Sequence, residues 1–204
     1  MSIFNTFYEH IFRALIITIL IFLIKFGLSD FIALIIYKNK KPSQAVFTSN
    51  TKLAHLEQPT NISSAREFIY DISSNDLTAL RDVNSTIWPD QKLSRDKQDP
   101  VYLLTDNLFI DNESGTITAK SQGKKVNLTY QNTKGQSLEA VLLKEKKTGI
   151  PDKIIFRGSA DVNQDDKEIS SEEVVFNFKD KKLTSNTKTN VRPKTVIFKK
   201  EETN

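Results

Sequence analysis

Two hydrophobic patterns divide the chain. Residues 11 to 37, IFRALIITILIFLIKFGLSDFIALIIY, are apolar almost throughout, whereas from Pro42 onward apolar positions alternate with polar ones in short runs. The first pattern predicts a helix without a polar face. Over Ala14 to Tyr37 it would run about 36 Å, enough to cross a hydrocarbon core of about 30 Å. Lys25 and Asp30 interrupt the run. A charge at mid-membrane costs about 3 kcal/mol unless it snorkels or meets a partner, so both residues are expected to contact a neighbouring membrane protein. A buried soluble helix and a cleaved leader are the rival readings. Ser43-Gln44-Ala45 offers the small residues of a cleavage site, but Lys38, Lys40 and Lys41 separate it from the apolar run. Those lysines also set topology: taken alone, the positive-inside rule would place the chain after Tyr37 in the cytoplasm.

The second pattern predicts strands. Phe68, Tyr70 and Ile72 share one parity, as do Leu108 and Ile110, Leu128 and Tyr130, Ile154 and Phe156, and Val174, Phe176 and Phe178. Period-two alternation buries one face of a strand. Turn residues fall between the runs, at Ser73-Ser74-Asn75-Asp76, Asn112-Glu113-Ser114-Gly115, Asn132-Thr133-Lys134-Gly135 and Asn163-Gln164-Asp165-Asp166. Such a series predicts an all-β sandwich, barrel or solenoid-like roll.

The strand units echo one another. ISSAREFIYDISSNDLT (62–78), LLTDNLFIDNESGTITAKS (103–121) and ISSEEVVFNFKDKKLTS (169–185) each read as a strand, a tight turn and a returning strand, the first with one extra residue suited to a bulge. A single hairpin cannot bury its own apolar face, so repeated units are expected to stack.

Candidate chemistry is sparse. DVNQDDKEISSE puts Asp161, Asn163, Asp165 and Glu172 at calcium-loop spacing, but Asp166 stands where glycine is needed, and strand-like KIIFRG and EVVFNF flank it instead of helices. A solvated hairpin turn is the better reading, and no metal or other cofactor is expected. The chain has no cysteine, and its two histidines, His10 and His55, lie on opposite sides of the apolar run. Thiolate catalysis and histidine metal clusters are therefore excluded. No phosphate loop, dinucleotide turn or GxSxG elbow occurs. The net charge of +4 comes from 29 basic and 25 acidic residues spread along the chain, without the basic-aromatic runs that bind nucleic acid. Trp88 reads as a core or edge aromatic. A hydrolase, a ligand-free structural adaptor and a lipid carrier remain as function classes, the first without any motif to place its acids.

PVYLLTDNLFIDNESGTITAKSQGKKVNLTY (100–130), and ISSEEVVFNFKDKKLTS after FRGSADV, resemble the β-jellyroll proteins of bacterial lipopolysaccharide transport. With an uncleaved apolar N-terminus, the chain is similar to the LptC family, the inner-membrane-anchored relative of the soluble LptA bridge. The likeness spans roughly residues 45–190 and lies in strand spacing rather than invariant residues. It implies an antiparallel jellyroll of stacked hairpins preceded by one transmembrane helix. The expected organisation is a short cytoplasmic N-terminus (1–13), an anchor (14–37), a linker (38–44), a periplasmic lipid-transfer domain (45–199) and a tail (200–204). The implied role is non-catalytic: lipopolysaccharide arrives from an LptB/LptF/LptG-type ABC exporter and leaves to an LptA-type bridge. That orientation opposes the lysine count after Tyr37; a helix inserted beside a multi-span partner need not follow its own charge bias. Lipid contact is expected from Phe68, Tyr70, Leu108, Ile110, Ile154, Phe156, Val174, Phe176 and Phe178. Lys124 and Lys125 are candidates for lipid phosphates at the rim. Val46 and Phe47 are expected on one exposed edge strand, and Val196 and Phe198 on the other. A cleaved, soluble LptA-like bridge is the alternative within the same superfamily.

Overall fold

The computed structural model describes residues 31–145, 147–186 and 194–197. Fifteen strands occur among them: β1 (Phe31–Lys38), β2 (Lys41–Ser49), β3 (Ala54–Gln58), β4 (Asn61–Ala65), β5 (Glu67–Asp71), β6 (Leu77–Ile87), β7 (Val101–Ile110), β8 (Ile117–Lys120), β9 (Val126–Tyr130), β10 (Thr133–Ser137), β11 (Glu139–Lys144), β12 (Pro151–Gln164), β13 (Lys167–Asn177), β14 (Lys182–Asn186) and β15 (Lys194–Ile197). All the pairings are antiparallel. One 3-10 turn, Arg95–Lys97, lies in the β6–β7 connection.

The strands form two walls joined along a corner. Wall A runs β1-β2-β5-β6-β7-β8-β11-β12-β13-β14, using the first part of β6 and β12 and the last part of β7 and β13. Wall B runs β3-β4-β6-β7-β9-β10-β12-β13-β15 through the other halves of the same four long strands. The register breaks where those strands turn from one wall to the other, between Leu80 and Val83 and between Arg157 and Ala160. Arg81 and Asp82 (φ 64 and 54), and Gly158 and Ser159 (φ 75 and 50), all adopt left-handed backbone there. Extra residues on one strand opposite its partner make a bulge, which bends the strand and redirects its second half. Backbone hydrogen bonds continue the corner from strand to strand: Arg66 N–H to Arg81 O (3.0 Å), Ser121 N–H to Leu138 O (3.1 Å) and Leu138 N–H to Gly158 O (3.0 Å). At Gly158 an added Cβ would stand 3.0 Å from the Leu138 Cβ, so glycine answers both the φ and the crowding.

The internal echo is this geometry written in sequence. In each unit the first strand crosses the corner at a charged residue, Arg66, Asp106 or Glu172, and then presents an apolar triplet to wall A. The extra residue of the first copy falls at its corner, since Ser64 pairs with Asn84 and Glu67 with Leu80. DVNQDD lies where β12 turns into β13 through Asp165-Asp166, with Gln164 paired to Lys167. Its carboxylates diverge: Asp161 meets the Lys125 ammonium, while Asp165 accepts a bond from Asn132 Nδ2 at 2.6 Å.

Two expectations need correction. Residues 31–37, expected at the end of a membrane helix, form β1, paired along its length with β2. Their apolar side chains alternate across the strand, Ala33 and Ile35 facing inward and Ile32, Leu34 and Ile36 outward, so the segment suits a strand as well as a helix. The linker expected over 38–44 is the β1–β2 turn and the start of β2. No helix among the described residues is long and apolar enough to cross a membrane; the rest of the expected anchor, with Lys25 and Asp30, lies outside them.

Candidate functional site: the interior of the roll

The inner face of wall A carries two rows that are apolar except for Ser185 at one end. Strand register gives the first as Ala33, Phe47, Phe68, Ala79, Leu108, Ala119, Ala140, Phe156, Val174 and Ser185. The second is Ile35, Ala45, Tyr70, Leu77, Ile110, Ile117, Leu142, Ile154, Phe176 and Leu183. Eight of the residues read from sequence as lipid-facing therefore share one face. Phe178 follows just beyond β13, with its N–H bonded to Asp152 O at 3.0 Å. Seven of the nine are buried; Tyr70 and Phe178 are half-buried. The Tyr70 hydroxyl turns outward to Asn75 Oδ1 at 2.7 Å.

Wall B is built differently. Its central row is Leu56, Ser63, Ser85, Leu103, Leu128, Gly135, Val162 and Ile169, so two serines and a glycine interrupt an otherwise aliphatic row. Ser63 and Ser85 hydrogen bond each other at 2.7 Å in the interior. The Phe156 ring of wall A lies against the Gly135 backbone: an added Cβ there would be 2.1 Å from Phe156 Cε1. No larger residue fits that position while Phe156 keeps its place. Gly135 also explains why this strand unit escapes detection by apolar alternation, since its inward residue has no side chain.

Away from the corner the walls part. Tyr130 of wall B meets Phe176 (5.8 Å between ring centroids, 65°) and Phe178 (4.9 Å, 61°), and the two phenylalanines stand edge-to-face at 5.5 Å. Such T-shaped contacts favour ring-quadrupole geometry. Outside this cluster opens a cavity of about 690 Å³, reached by Leu93, Ile150 and Pro151 along with Tyr130 and Phe178. Asp90, Asp99, Glu145, Asp152, Lys97 and Lys179 mark its rim. Burial, helped by Asp99, holds the Tyr130 phenol above its ordinary value. Lys144 is pushed below the usual lysine range by burial, with Asp90 acting in the opposite sense.

The β6–β7 connection roofs this mouth. Arg95 stacks over the Trp88 ring at 4.5 Å, pairs with Glu57 at 2.6 Å, and donates to Pro59 O at 3.2 Å and to Gln58 O. Gln98 closes the loop on itself, accepting from Asp90 N–H at 2.8 Å and donating to Asp90 O at 2.7 Å. Trp88 is thus a clamp on a connection, consistent with an edge aromatic.

The rim lysines and one edge strand differ from expectation. Lys125 sits beside the corner, donating to Ser159 O at 2.7 Å and pairing with Asp161, whose carboxyl it holds below the usual range. Lys124 beside it is exposed. The mouth lysines are Lys97 and Lys179, which no sequence motif singles out. Val46 and Phe47 lie on β2 between β1 and β5, so they are interior to wall A and not on an edge. β1 takes that edge. Val196 lies on β15, which pairs with β13 and borders wall B; Phe198 lies outside the described residues.

No family model and no curated sequence matches the chain. Among solved structures, LptH of Pseudomonas aeruginosa, described as the LptA-homologous periplasmic component of the conserved lipopolysaccharide transport device, shares the fold at a TM-score of 0.52 and 12% identity. The match covers 68% of this chain and 95% of LptH. At that identity the likeness is one of architecture: this chain has the β-jellyroll fold of an LptA homologue.

Proposed function

We propose that this chain carries lipopolysaccharide without catalysis, as the LptC-type component held at the bacterial inner membrane with its roll in the periplasm. The carrying observation is the inner face of wall A, where two rows, apolar except for Ser185, continue across ten strands. LptH, whose name places it in lipopolysaccharide transport, supplies the class of ligand. An LptB/LptF/LptG-type exporter would load the roll, and an LptA-type bridge would unload it by adding a strand to β14 or β15. The apolar run before β1 would provide the anchor.

Acyl chains gain about 0.8 kcal/mol per buried methylene, enough to drive capture once space exists. The described interior is filled by Phe156, Phe176 and their neighbours, so capture requires the walls to separate from the Tyr130 side, where aromatic contacts and the β6–β7 connection close them. A photo-crosslinking residue replacing Phe176 in lipopolysaccharide-producing cells should give a lipopolysaccharide adduct. Absence of an adduct there, at Phe156 and at Phe178 would reject the carrier.

A second reading is favoured by that same packing. Ile154, Phe156 and Val174 are 0% exposed, as in a closed structural core. An anchored adaptor with no lipid ligand would show this interior and would give no adduct. Soluble LptA-like behaviour is separable by sequencing the mature N-terminus: retention of Met1 or Ser2 supports the anchor.

A further inference from the structure

The β1–β2 hairpin combines two features that the interior does not use. On its outer side β1 exposes Ile32 (58%), Leu34 (56%) and Ile36 (40%), followed by Tyr37 (53%). These residues continue inward along the outside of wall A, since Leu34 pairs with Val46 and Val46 with Ile69. The hairpin tip then presents Lys38, Lys40 and Lys41, all exposed and without an ion pair among the described residues. From Phe31 to Leu56 the sequence has four lysines and no acidic residue. Apolar side chains, one tyrosine and a cluster of ammonium groups make up the chemistry of a surface resting on anionic headgroups.

Position supplies the occupant. In sequence the apolar run 11–30 leads directly into β1, so on the anchored reading that end of the strand would be held at the membrane. The lysine tip lies at the other end, about 24 Å away for seven rises of about 3.4 Å. Two attachment points at opposite ends of one strand would lay its outer face along a bilayer. We infer that the outer face of β1 and the Lys38–Lys41 tip form a docking surface for an anionic lipid bilayer, holding the roll flat beside its anchor. This rests on the anchored reading proposed for the chain. It differs from lipid carriage, which uses the opposite face of the same wall.

The test uses the full chain, whose lack of cysteine permits clean labelling. Leu34→Cys, and separately Ile32→Cys, would carry an environment-sensitive fluorophore in vesicles of phosphatidylcholine and phosphatidylglycerol containing a lipid-borne quencher. Leu104→Cys, exposed at 51% on the outside of wall B, is the reference. Quenching at 32 and 34 should exceed that at 104 several-fold. Replacing Lys38, Lys40 and Lys41 with glutamine should weaken docking by up to about fivefold per residue, as should high salt. Equal quenching at 34 and 104 in protein that floats with the vesicles would overturn the docking surface and leave the anchor intact. Shielding at 34 from aqueous iodide without lipid quenching would assign the face to a protein partner and overturn it likewise. Protein that does not float at all would overturn both readings.

Discussion

The two walls face each other with unlike side chains. Wall A brings the large rings and aliphatics of Phe68, Leu108, Phe156 and Phe176, with alanines at Ala79, Ala119 and Ala140 between them; wall B answers with smaller aliphatics such as Leu103, Leu128 and Val162, interrupted by Ser63, Ser85 and Gly135. The pairing of Phe156 with the Gly135 backbone shows the principle: bulk from one side fills the relief of the other. Wall A is continuous along its own rows, and wall B is held to it at the corner, through the shared buried core and by the Tyr130 cluster. Entry of an acyl chain, as proposed, would separate the walls on the Tyr130 side and leave the corner strands intact.

The largest expected effect is at the contact between them. Gly135→Val forces its side chain into the Phe156 ring and should leave little soluble folded protein; Gly135→Val with Phe156→Ala should recover folding, visible as a cooperative melt. Phe156→Ala alone should lose about 3–5 kcal/mol in denaturant titration. Recovery failing in the double variant would mean that the walls do not meet as described.

Ile154 and Ile155 sharpen the comparison because they are adjacent, identical in type and on opposite faces. Ile154 is wholly buried between the walls, while Ile155 joins Val141 and Val175 in a small cluster outside wall A. Ile154→Ala should destabilise by about 4 kcal/mol and Ile155→Ala by about 2 kcal/mol. Equal losses would show that the interior is no better packed than the outer patch.

Wall B gives a smaller signature. Ser63→Ala or Ser85→Ala alone strands a buried hydroxyl and should lose about 1–2 kcal/mol, whereas the double alanine variant should be closer to the parent than the two losses summed. Lys144 should give the smallest change. Its folded-state value lies below that of the unfolded chain, so the charged form is penalised on folding. Lys144→Met should raise the melting midpoint slightly at neutral pH. That gain is full below the folded value and fades as pH rises towards 10.5, where both states lose the proton. A melting midpoint lower than the parent's at pH 7 would contradict the burial of that ammonium.

Much of wall A was legible in the sequence because β5, β7, β12 and β13 keep an apolar residue at every second position there. Phe68, Leu108, Phe156 and Val174 could be assigned to one face before any register was known. The corners were partly legible, through the repeated ISS units and the extra residue at Arg66. Wall B was legible only in part, at Leu128 and Tyr130, for a physical reason: Ser63, Ser85, Thr133 and Gly135 face inward but read as surface or turn. Residues 31–37 misled because a fully apolar run satisfies a membrane helix and an edge strand equally, and pairing with β2 is a tertiary event. The mouth was invisible, since Leu93, Lys97, Ile150 and Lys179 come from three separate connections.

Lipid carriage depends on separation of the walls, and the distance between them measures it. Spin labels at Lys153→Cys on the outside of β12 and Thr129→Cys on the outside of β9 report the gap on the Tyr130 side. Added lipopolysaccharide should lengthen that distance and narrow its distribution as acyl chains fill the interior. An unchanged distance at saturating lipopolysaccharide would contradict the groove and leave the roll a closed structural core.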